Sequence, residues 1–169
     1  MTDWETFRAQ KVGSVTELNS EREGRKSAKS TAGRCVFCAI VERRQPSNIV
    51  YEDEDHIAFL DIAPFSEGHL LVCPKKHGET IWEMDESEIG ELFMLASRIS
   101  RAVVSAVHAD GFRFVQNNGE AANQVVAHVH VHVIPVKLAD KGRFMERKKF
   151  TPEELTGIAS RIRNEINRS

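Results

Sequence analysis

The stretch His128-Val129-His130-Val131-His132-Val133-Ile134-Pro135 carries a histidine at every second position, with valines between them. Successive side chains on an extended strand point to opposite faces, so the three imidazoles are predicted to share one face of a strand. They would follow one another at intervals of roughly 6.5 Å, and the valines would enter a hydrophobic core. Folding alone does not require three titratable rings on one face, so the row predicts a functional site.

The residues alone leave three interpretations of this row open. The rings could be structural, although that role is more usual for a single histidine than for three. They could bind a metal ion, because His-x-His on a strand is a common zinc arrangement, but no Asp or Glu lies between Asn123 and Val136 to serve nearby. One imidazole could also act as a nucleophile, with its neighbours orienting it and binding charge.

The composition is that of an ordinary soluble protein. The chain has 169 residues, of which 41% are hydrophobic and 28% charged, which suits one domain or one domain with a tail. A formal net charge of -2 gives no general case for binding nucleic acid or a membrane surface. No apolar run is as long as a membrane span and no signal-peptide core is evident, so we expect a cytoplasmic protein.

Three segments of the chain differ in composition. Residues 1–34 contain many charges and few apolar residues, so they are expected to form a disordered or weakly helical extension, which could bind an unidentified protein. Residues 35–136 carry the pattern of a folded domain. Residues 137–169 are interpreted as a basic linker and a C-terminal helix that Thr151 and Pro152 would begin. The linker contains five cations, Lys141, Arg143, Arg147, Lys148 and Lys149. We interpret them as a solvated face, and the alternative is that they contact an acidic substrate.

The hydrophobic pattern within the folded domain predicts an α+β fold. Apolar residues recur every three or four positions over residues 85–109, which indicates one long amphipathic helix. Short apolar runs bounded by turn residues predict about five strands, over residues 49–52, 56–62, 69–73, 112–116 and 126–134. The short connections favour an antiparallel sheet with the long helix packed across it.

The histidine row and the blocks that precede it resemble the histidine triad (HIT) superfamily of nucleotidyl hydrolases and transferases. The matching blocks occur in the family's order and are Cys35-Val36-Phe37-Cys38-Ala39-Ile40, Tyr51-Glu52-Asp53, Phe59-Leu60-Asp61-Ile62, the run from Gly68 to His77, Asn117-Asn118-Gly119 and Gln124. The resemblance covers residues 35 to about 136 and implies a HIT-like sheet. The spacing is most similar to the Hint branch, the purine nucleoside phosphoramidases.

The resemblance implies a catalytic role for three histidines. His130, the middle residue of the row, would attack the α-phosphorus and form a covalent nucleotidyl-histidine that water then cleaves. His132 would bind the phosphate or protonate the leaving group. His69 would complete the charge-binding wall of the site. A neutral imidazole suits the first role because its unperturbed pKa is about 6.5, provided that its other nitrogen is held as a donor.

The resemblance also implies a set of nucleotide-binding residues. Asp61 would accept hydrogen bonds from the ribose hydroxyls, and the base would lie between apolar walls formed by Phe37, Ile40, Phe59 and Ile62. The phosphate would contact Asn117, Gln124, the backbone N–H of Val125, and His132. Val125 is a departure, because the family often has Ser or Thr there. This departure leaves the preferred substrate open.

The Cys35-x-x-Cys38 pair could be accidental or could hold structural zinc, since the spacing alone does not supply the other two ligands. Three cysteines in a chain expected to be cytoplasmic argue against a disulfide framework. The resemblance is to HIT proteins that bind zinc through two such cysteines and two histidines, which correspond here to His77 and His128. It therefore implies a closed Cys2His2 site whose zinc is structural and takes no part in the chemistry.

Several functions fit this resemblance. The first is a hydrolase that cleaves AMP from adenosine phosphoramidates or from acyl- or aminoacyl-adenylates. The alternatives are a dinucleoside polyphosphate hydrolase of the fragile-histidine-triad type and a nucleotide-binding scaffold with little catalysis. The resemblance further implies a homodimer formed through the long helix and a strand, with Ile99 and Val103 partly at the interface.

Overall fold

The computed structural model describes residues 35–143 and 146–168, and the expected N-terminal extension, residues 1–34, lies outside them. The helices in these ranges are α1 (Val36–Val41), α2 (Glu86–Ala106) and α3 (Pro152–Ile166). The strands are β1 (Ile49–Glu52), β2 (His56–Leu60), β3 (Leu70–Pro74), β4 (Gly111–Val115) and β5 (Val131–Val136). Short 3-10 helices occur at Ile81–Glu83, Glu120–Ala122 and Leu138–Asp140. No helix in the described ranges has the length and apolar character needed to cross a membrane.

The five strands form one antiparallel sheet in the order β1-β2-β3-β5-β4. Short turns join β1, β2 and β3, whereas α2 intervenes before β4, and β5 then returns between β3 and β4. This arrangement puts His132 on an interior strand of the sheet, opposite Leu71 on one side and Val115 on the other. The predicted α+β class, with about five strands, a long helix and a C-terminal helix, is confirmed.

Both faces of the central strands are buried, and alternate residues enter different clusters. In β2, Ala58 and Leu60 belong to the main core, whereas Ile57 and Phe59 belong to a second cluster on the opposite face. Val129, Val131 and Val133 all enter the main core, as the alternation of the histidine row predicts. The face of the sheet opposite this core is therefore the one that α1 and the histidines share.

The main core lies between the sheet and helices α2 and α3. Helix α3 contributes Ile158, Ala159 and Ile162 to it. This helix begins as predicted, because the Thr151 Oγ1 accepts a hydrogen bond from the Glu154 N–H at 3.2 Å and Pro152 occupies the first turn.

Residues Ile99 and Val103 of α2 also lie in this core. They are 2% and 0% exposed within a single chain. Their expected position at a dimer interface is therefore wrong, because an amphipathic helix buries its apolar stripe first against its own sheet. The homodimer itself stays a prediction.

Strand β5 begins later than the sequence predicts. The ladder starts at Val131 rather than at Val126, because the preceding residues form a turn in which the His128 N–H donates to the Val126 carbonyl at 2.9 Å. The next amide, of Val129, donates to the Gly78 carbonyl at 2.7 Å. His128 and His130 thus lie in the segment that leads into the strand, and only His132 lies on it.

Gly68 offers a test of how closely helix α2 approaches the sheet. Its φ is +80°, and an added Cβ would come within 2.9 Å of Val107 Cγ1. We expect Gly68→Ala to lower the free energy of unfolding by about 2–4 kcal/mol, because backbone strain and overpacking add. Urea denaturation measures this change. The matched control is Gly142→Ala, where φ is +76° but no atom lies within 4 Å of the added Cβ. Equal losses in the two variants would contradict the close approach.

Candidate active site

A cavity of about 420 Å³ lies on the face of the sheet opposite the main core. Most of the residues that sequence reasoning assigns to the nucleotide line it together, namely Phe37, Ile40, Phe59, Asp61, Ile62, Asn117, Val125, His130 and His132. Helix α1, the end of β2, the 116–126 loop and β5 therefore converge on one space. Gln124 is the one nucleotide residue absent from this lining.

The imidazole of His130 is fixed in one tautomer by the backbone. Its Nδ1 lies 2.6 Å from the carbonyl oxygen of His128. A carbonyl oxygen only accepts hydrogen bonds, so Nδ1 carries the proton and Nε2 keeps its lone pair. The ring is 5% exposed and contacts the Phe37 ring edge-to-face, with centroids 5.1 Å apart. The arrangement that a nucleophilic imidazole requires is therefore present at the cavity wall.

His69 lies behind His132 and sets its tautomer. The Phe65 N–H donates to His69 Nδ1 at 3.1 Å, so the proton of a neutral His69 is on Nε2. His69 Nε2 lies 2.9 Å from His132 Nδ1 and donates to it, which leaves His132 with an N–H at Nε2. His69 is 1% exposed and is absent from the cavity lining. The structure therefore places it as a partner of His132 rather than at the charge-binding wall that was expected.

Burial lowers the pKa of the site histidines. The pKa of His69 is lowered to about 4, and that of His132 also to about 4, with burial the largest cause in each case. The positive charge of Arg147 lowers both further, whereas Asp61 opposes the shift. Burial also lowers the pKa of His130, although the His128 carbonyl partly offsets it. The three rings are therefore neutral near pH 7.

Asp61 lies between the cavity and the histidine pair. Its Oδ1 accepts a hydrogen bond from the Ala63 N–H at 2.8 Å. Its Oδ2 is 3.6 Å from His69 Nε2 and 3.9 Å from His132 Nδ1. One carboxylate oxygen is thus held by the backbone, and the other faces the imidazoles at the edge of the cavity.

The loop that precedes the histidines is held by Gln124. The side-chain Oε1 of Gln124 accepts from the Gly119 N–H at 2.6 Å, and its Nε2 donates to the Glu79 carbonyl at 2.6 Å. This amide therefore joins the loop to the segment after His77, and no phosphate contact is needed to account for it. Val125 comes next, at the cavity wall, and is 88% exposed, so it places a bare apolar side chain where the family often has a hydroxyl.

Sequence reasoning missed Phe65 as a residue of the site and named Arg147 only as one cation of the basic stretch. Arg147 lines the cavity, donates to the Ala63 carbonyl, and places its guanidinium 4.8 Å from the centre of the Phe65 ring. Phe65 in turn stacks on His69, with ring centroids 5.6 Å apart. Arg147 is exposed, as the predicted solvated face requires, and its place in the cavity lining is compatible with the alternative of contact with an acidic substrate. Nothing in the composition of the basic stretch distinguishes this arginine from its neighbours.

A second group of side chains lies beside the cavity, at the start of α1. The Cys35 and Cys38 sulfurs and the Nδ1 atoms of His77 and His128 all lie within 4.8 Å of one another. His128 Nδ1 is 3.4 Å from the Cys35 sulfur, 3.6 Å from the Cys38 sulfur and 3.3 Å from His77 Nδ1. The Cys38 sulfur is 3.3 Å from His77 Nδ1. The four residues named by the resemblance are thus brought together.

These distances fit a tetrahedral zinc ion. With Zn–S near 2.3 Å and Zn–N near 2.0–2.1 Å, the ligand atoms of a tetrahedron lie about 3.3 Å (N to N) and about 3.5 Å (S to N) apart. His128 Nε2 lies 2.8 Å from the Pro74 carbonyl and therefore carries the proton, so Nδ1 offers its lone pair to the group. Without a cation, burial and the neighbouring Cys35 raise the pKa of Cys38 to about 11. A bound metal would remove that cost of ionising a thiol.

Comparison with known proteins identifies the family. The sequence model of the HIT domain matches residues 42–138. The chain belongs to the HIT domain family. Its structure is similar to that of a hypothetical histidine triad nucleotide-binding protein from Sulfolobus tokodaii, with a TM-score of 0.74 and 40% identity, over 79% of this chain and 93% of that one.

Three other HIT proteins bear on the site. A Zn-bound histidine triad family protein from Mycobacterium smegmatis has a TM-score of 0.73 and 35% identity, over 81% of this chain and 96% of that one. The adenosine 5'-monophosphoramidase of Schizosaccharomyces pombe is 33% identical over 134 residues, 78% of this chain and 98% of that protein. The adenylylsulfatase of Arabidopsis thaliana is 37% identical over 121 residues, 72% of this chain and 61% of that protein.

The protonation states of His69 and His132 can be measured directly. Because both pKa values lie near 4 in the folded protein and near 6.5 in the unfolded chain, the unfolded state binds more protons between these limits. We expect both rings to stay neutral at pH 6 in nitrogen-15 NMR spectra, and the free energy of unfolding to fall as the pH is lowered from about 6.5 to about 4. An imidazolium signal from either ring at pH 6 would contradict the hydrogen-bond assignment.

Proposed function

We propose that this HIT protein is a hydrolase that releases AMP from adenosine phosphoramidates or from acyl- or aminoacyl-adenylates. The observation that carries the proposal is the tautomer of His130, which its Nδ1 hydrogen bond fixes in a residue that lines a cavity with apolar sides. Two relatives have names that state an activity, an adenosine 5'-monophosphoramidase and an adenylylsulfatase. Their similarity to this chain supports the proposal.

In the first step His130 Nε2 attacks the α-phosphorus. A bond forms between Nε2 and phosphorus, and the bond between phosphorus and the leaving group breaks. The attacking ring of His130 becomes positive, and the hydrogen bond from its Nδ1–H to the His128 carbonyl becomes stronger. Water then attacks phosphorus, which releases AMP and returns the neutral ring of His130.

His132 serves the leaving group and the phosphate oxygens. With Nδ1 accepting from His69, its Nε2–H is available to donate to a phosphate oxygen. An anionic phosphate beside the ring would raise the pKa of His132 from about 4, so the ring would take a second proton from solvent when substrate binds. It would pass one proton to the leaving group and take one back from the water that attacks in the second step. His69 is a positioning residue in this scheme, because it acts only through His132.

The nucleoside would bind at the other end of the cavity. The rings of Phe37 and Phe59 pack edge-to-face with centroids 5.3 Å apart, and Ile40 and Ile62 also line this end. Such walls bury the faces of a base, while Asp61 Oδ2 is free of backbone hydrogen bonds and offers an acceptor for ribose hydroxyls. We retain Asn117, which lines the cavity, as a phosphate-binding residue.

We further propose that Cys35, Cys38, His77 and His128 hold one zinc ion. The zinc supplies no chemistry to the reaction and joins the start of α1 to the segments that carry His77 and His128. The match of the ligand distances to a tetrahedron supports this, as does the similar Zn-bound protein from Mycobacterium smegmatis.

The nucleophile is tested by His130→Ala. We expect the variant to lose more than about a thousandfold in the rate of AMP release from an adenosine phosphoramidate, because no other atom can form the covalent intermediate. It should still bind AMP in calorimetry. In the wild type, quenching with denaturant at alkaline pH during turnover should trap a chain heavier by one adenylyl group, because the phosphorus–nitrogen bond of a nucleotidyl-histidine is labile in acid and more stable in alkali.

The matched control is His108→Asn, which removes an exposed imidazole outside the site from a residue whose φ is +51°, a conformation that Asn tolerates. Full turnover by His130→Ala would disprove the assignment. Better specificity constants for diadenosine tri- or tetraphosphate would favour the dinucleoside polyphosphate alternative. AMP binding without turnover of either substrate would favour the scaffold alternative.

The zinc proposal predicts about one equivalent of zinc per chain. Cys38→Ala should lose the metal, because it removes one of four ligands, and chelation of the wild type should lower its melting temperature. Cys73→Ala is the matched control, since Cys73 is a buried thiol outside the group and should retain full metal content. Elemental analysis of protein expressed with ample zinc decides the matter, and a metal-free wild type would rule the site out.

A further inference from the structure

A second cavity, of about 380 Å³, adjoins the candidate active site. The two cavities share Phe65 and Arg147 as lining residues. The second cavity is rich in cations, with four basic and two acidic side chains in its wall: Arg113, Arg143, Arg147, Lys148, Asp140 and Glu146. Neither the nucleoside walls nor the zinc-ligand group contributes to it.

The face of the sheet that lines the first cavity continues along β4 and β5 and also lines the second cavity. His132 and Ile134 of β5 line the first cavity, and Val136, two residues farther on the same face, lines the second. On the neighbouring strand Val115 pairs with His132, and Arg113 pairs with Ile134. Arg113 therefore lies on the same face of the sheet as Val115, the residue opposite His132, and about 7 Å farther along the strand.

The segment after the HIT domain closes the other side of the second cavity. The Lys148 N–H donates to the Pro64 carbonyl at 2.6 Å, and the Arg147 guanidinium donates to the Ala63 carbonyl. These two bonds fix the segment against the loop after β2. Arg147 is thereby held at the boundary between the two cavities.

A series of ring contacts runs from the nucleoside end of the first cavity to Arg147 and indicates how a bound substrate would be oriented. Phe37 contacts His130 at 5.1 Å, His130 contacts His132 at 4.9 Å, and His132 contacts His69 at 5.1 Å between centroids. Phe65 stacks on His69, and Arg147 lies over Phe65. A nucleoside at the Phe37 end with its phosphorus at His130 therefore directs its leaving group toward Arg147.

We infer that the second cavity binds the leaving group of the substrate and selects one that carries a carboxylate, sulfate or phosphate. The inference rests on the proposed function for the position of the scissile bond. Four cations against two carboxylates give the cavity an excess of positive charge, and arginine forks suit planar and tetrahedral oxyanions. This chain is thus specific for adenylates whose leaving group is acidic.

The test compares two substrates that differ in one charge. These are the adenosine 5'-phosphoramidates of β-alanine, which carries a free carboxylate, and of β-alaninamide, which is neutral and of the same length. Dissociation constants are measured by calorimetry on the wild type and on His130→Ala, and kcat/KM is measured on the wild type. We expect both ratios to favour the carboxylate by about tenfold or more at low salt, and by less at high salt.

Substitutions of the cavity arginines test whether the preference for the carboxylate comes from this cavity or from the overall charge of the protein. In Arg113→Gln/Arg143→Gln and in Arg147→Gln the preference for the carboxylate should fall toward one, and Arg147→Lys should keep part of it. The matched control is Arg98→Gln/Arg101→Gln, which removes two exposed charges from helix α2 and should keep the wild-type preference.

The outcomes distinguish this inference from the proposed function. If the wild type releases AMP from neither compound, the proposed hydrolase fails, and the binding ratio still decides the inference. If both compounds bind and react equally well, or if the arginine variants keep the full preference, the second cavity does not select the leaving group. Loss of preference in the Arg98→Gln/Arg101→Gln control would also overturn the inference, because long-range charge would then explain it.

Discussion

The hydrogen bond from His130 Nδ1 to the carbonyl oxygen of His128 joins the two halves of the site. The side chain of His128 faces the cysteines, while its backbone carbonyl fixes the tautomer of His130. Any movement of the cysteine and histidine group is therefore transmitted to the His130 ring through one peptide unit. The Val129 N–H, bonded to the Gly78 carbonyl, holds the same unit from the other side. A metal ion held by these four side chains would therefore stabilise the position of the His130 ring without taking part in the proposed reaction.

The sequence predicted the parts of the fold that depend on local periodicity. The alternation of histidine and valine placed Val129, Val131 and Val133 in the main core, and the α2 pattern gave its buried stripe. The start of α3 was predictable from the chemistry of Thr151 and Pro152. The group of Cys35, Cys38, His77 and His128 came from the family resemblance, because spacing within one segment cannot name ligands that lie far along the chain.

Other features depend on which distant segments meet, and the sequence did not reveal them. Strand β5 starts at Val131 because His128 lies in a turn. That turn is held by the hydrogen bond from the Val129 N–H to the Gly78 carbonyl, on the segment after β3. His69 lies behind His132 because strands β3 and β5 are neighbours, so it orients a ring rather than lining the cavity. Arg147 reaches the cavity because backbone bonds at Ala63 and Pro64 fix its segment there. Composition predicts a solvated basic stretch, with contact to an acidic substrate as the alternative, and does not single out Arg147.

The match to the HIT domain ends at residue 138, and Arg147 lies beyond it. His69, His130 and His132 lie within the matched domain. The charge at the far end of the cavity comes from a segment outside that domain, attached by two bonds to backbone carbonyls. Such a segment can change its side chains without disturbing the sheet or the histidine hydrogen bonds. Differences in leaving-group preference among HIT proteins would then arise from the segment C-terminal to β5 rather than from the triad.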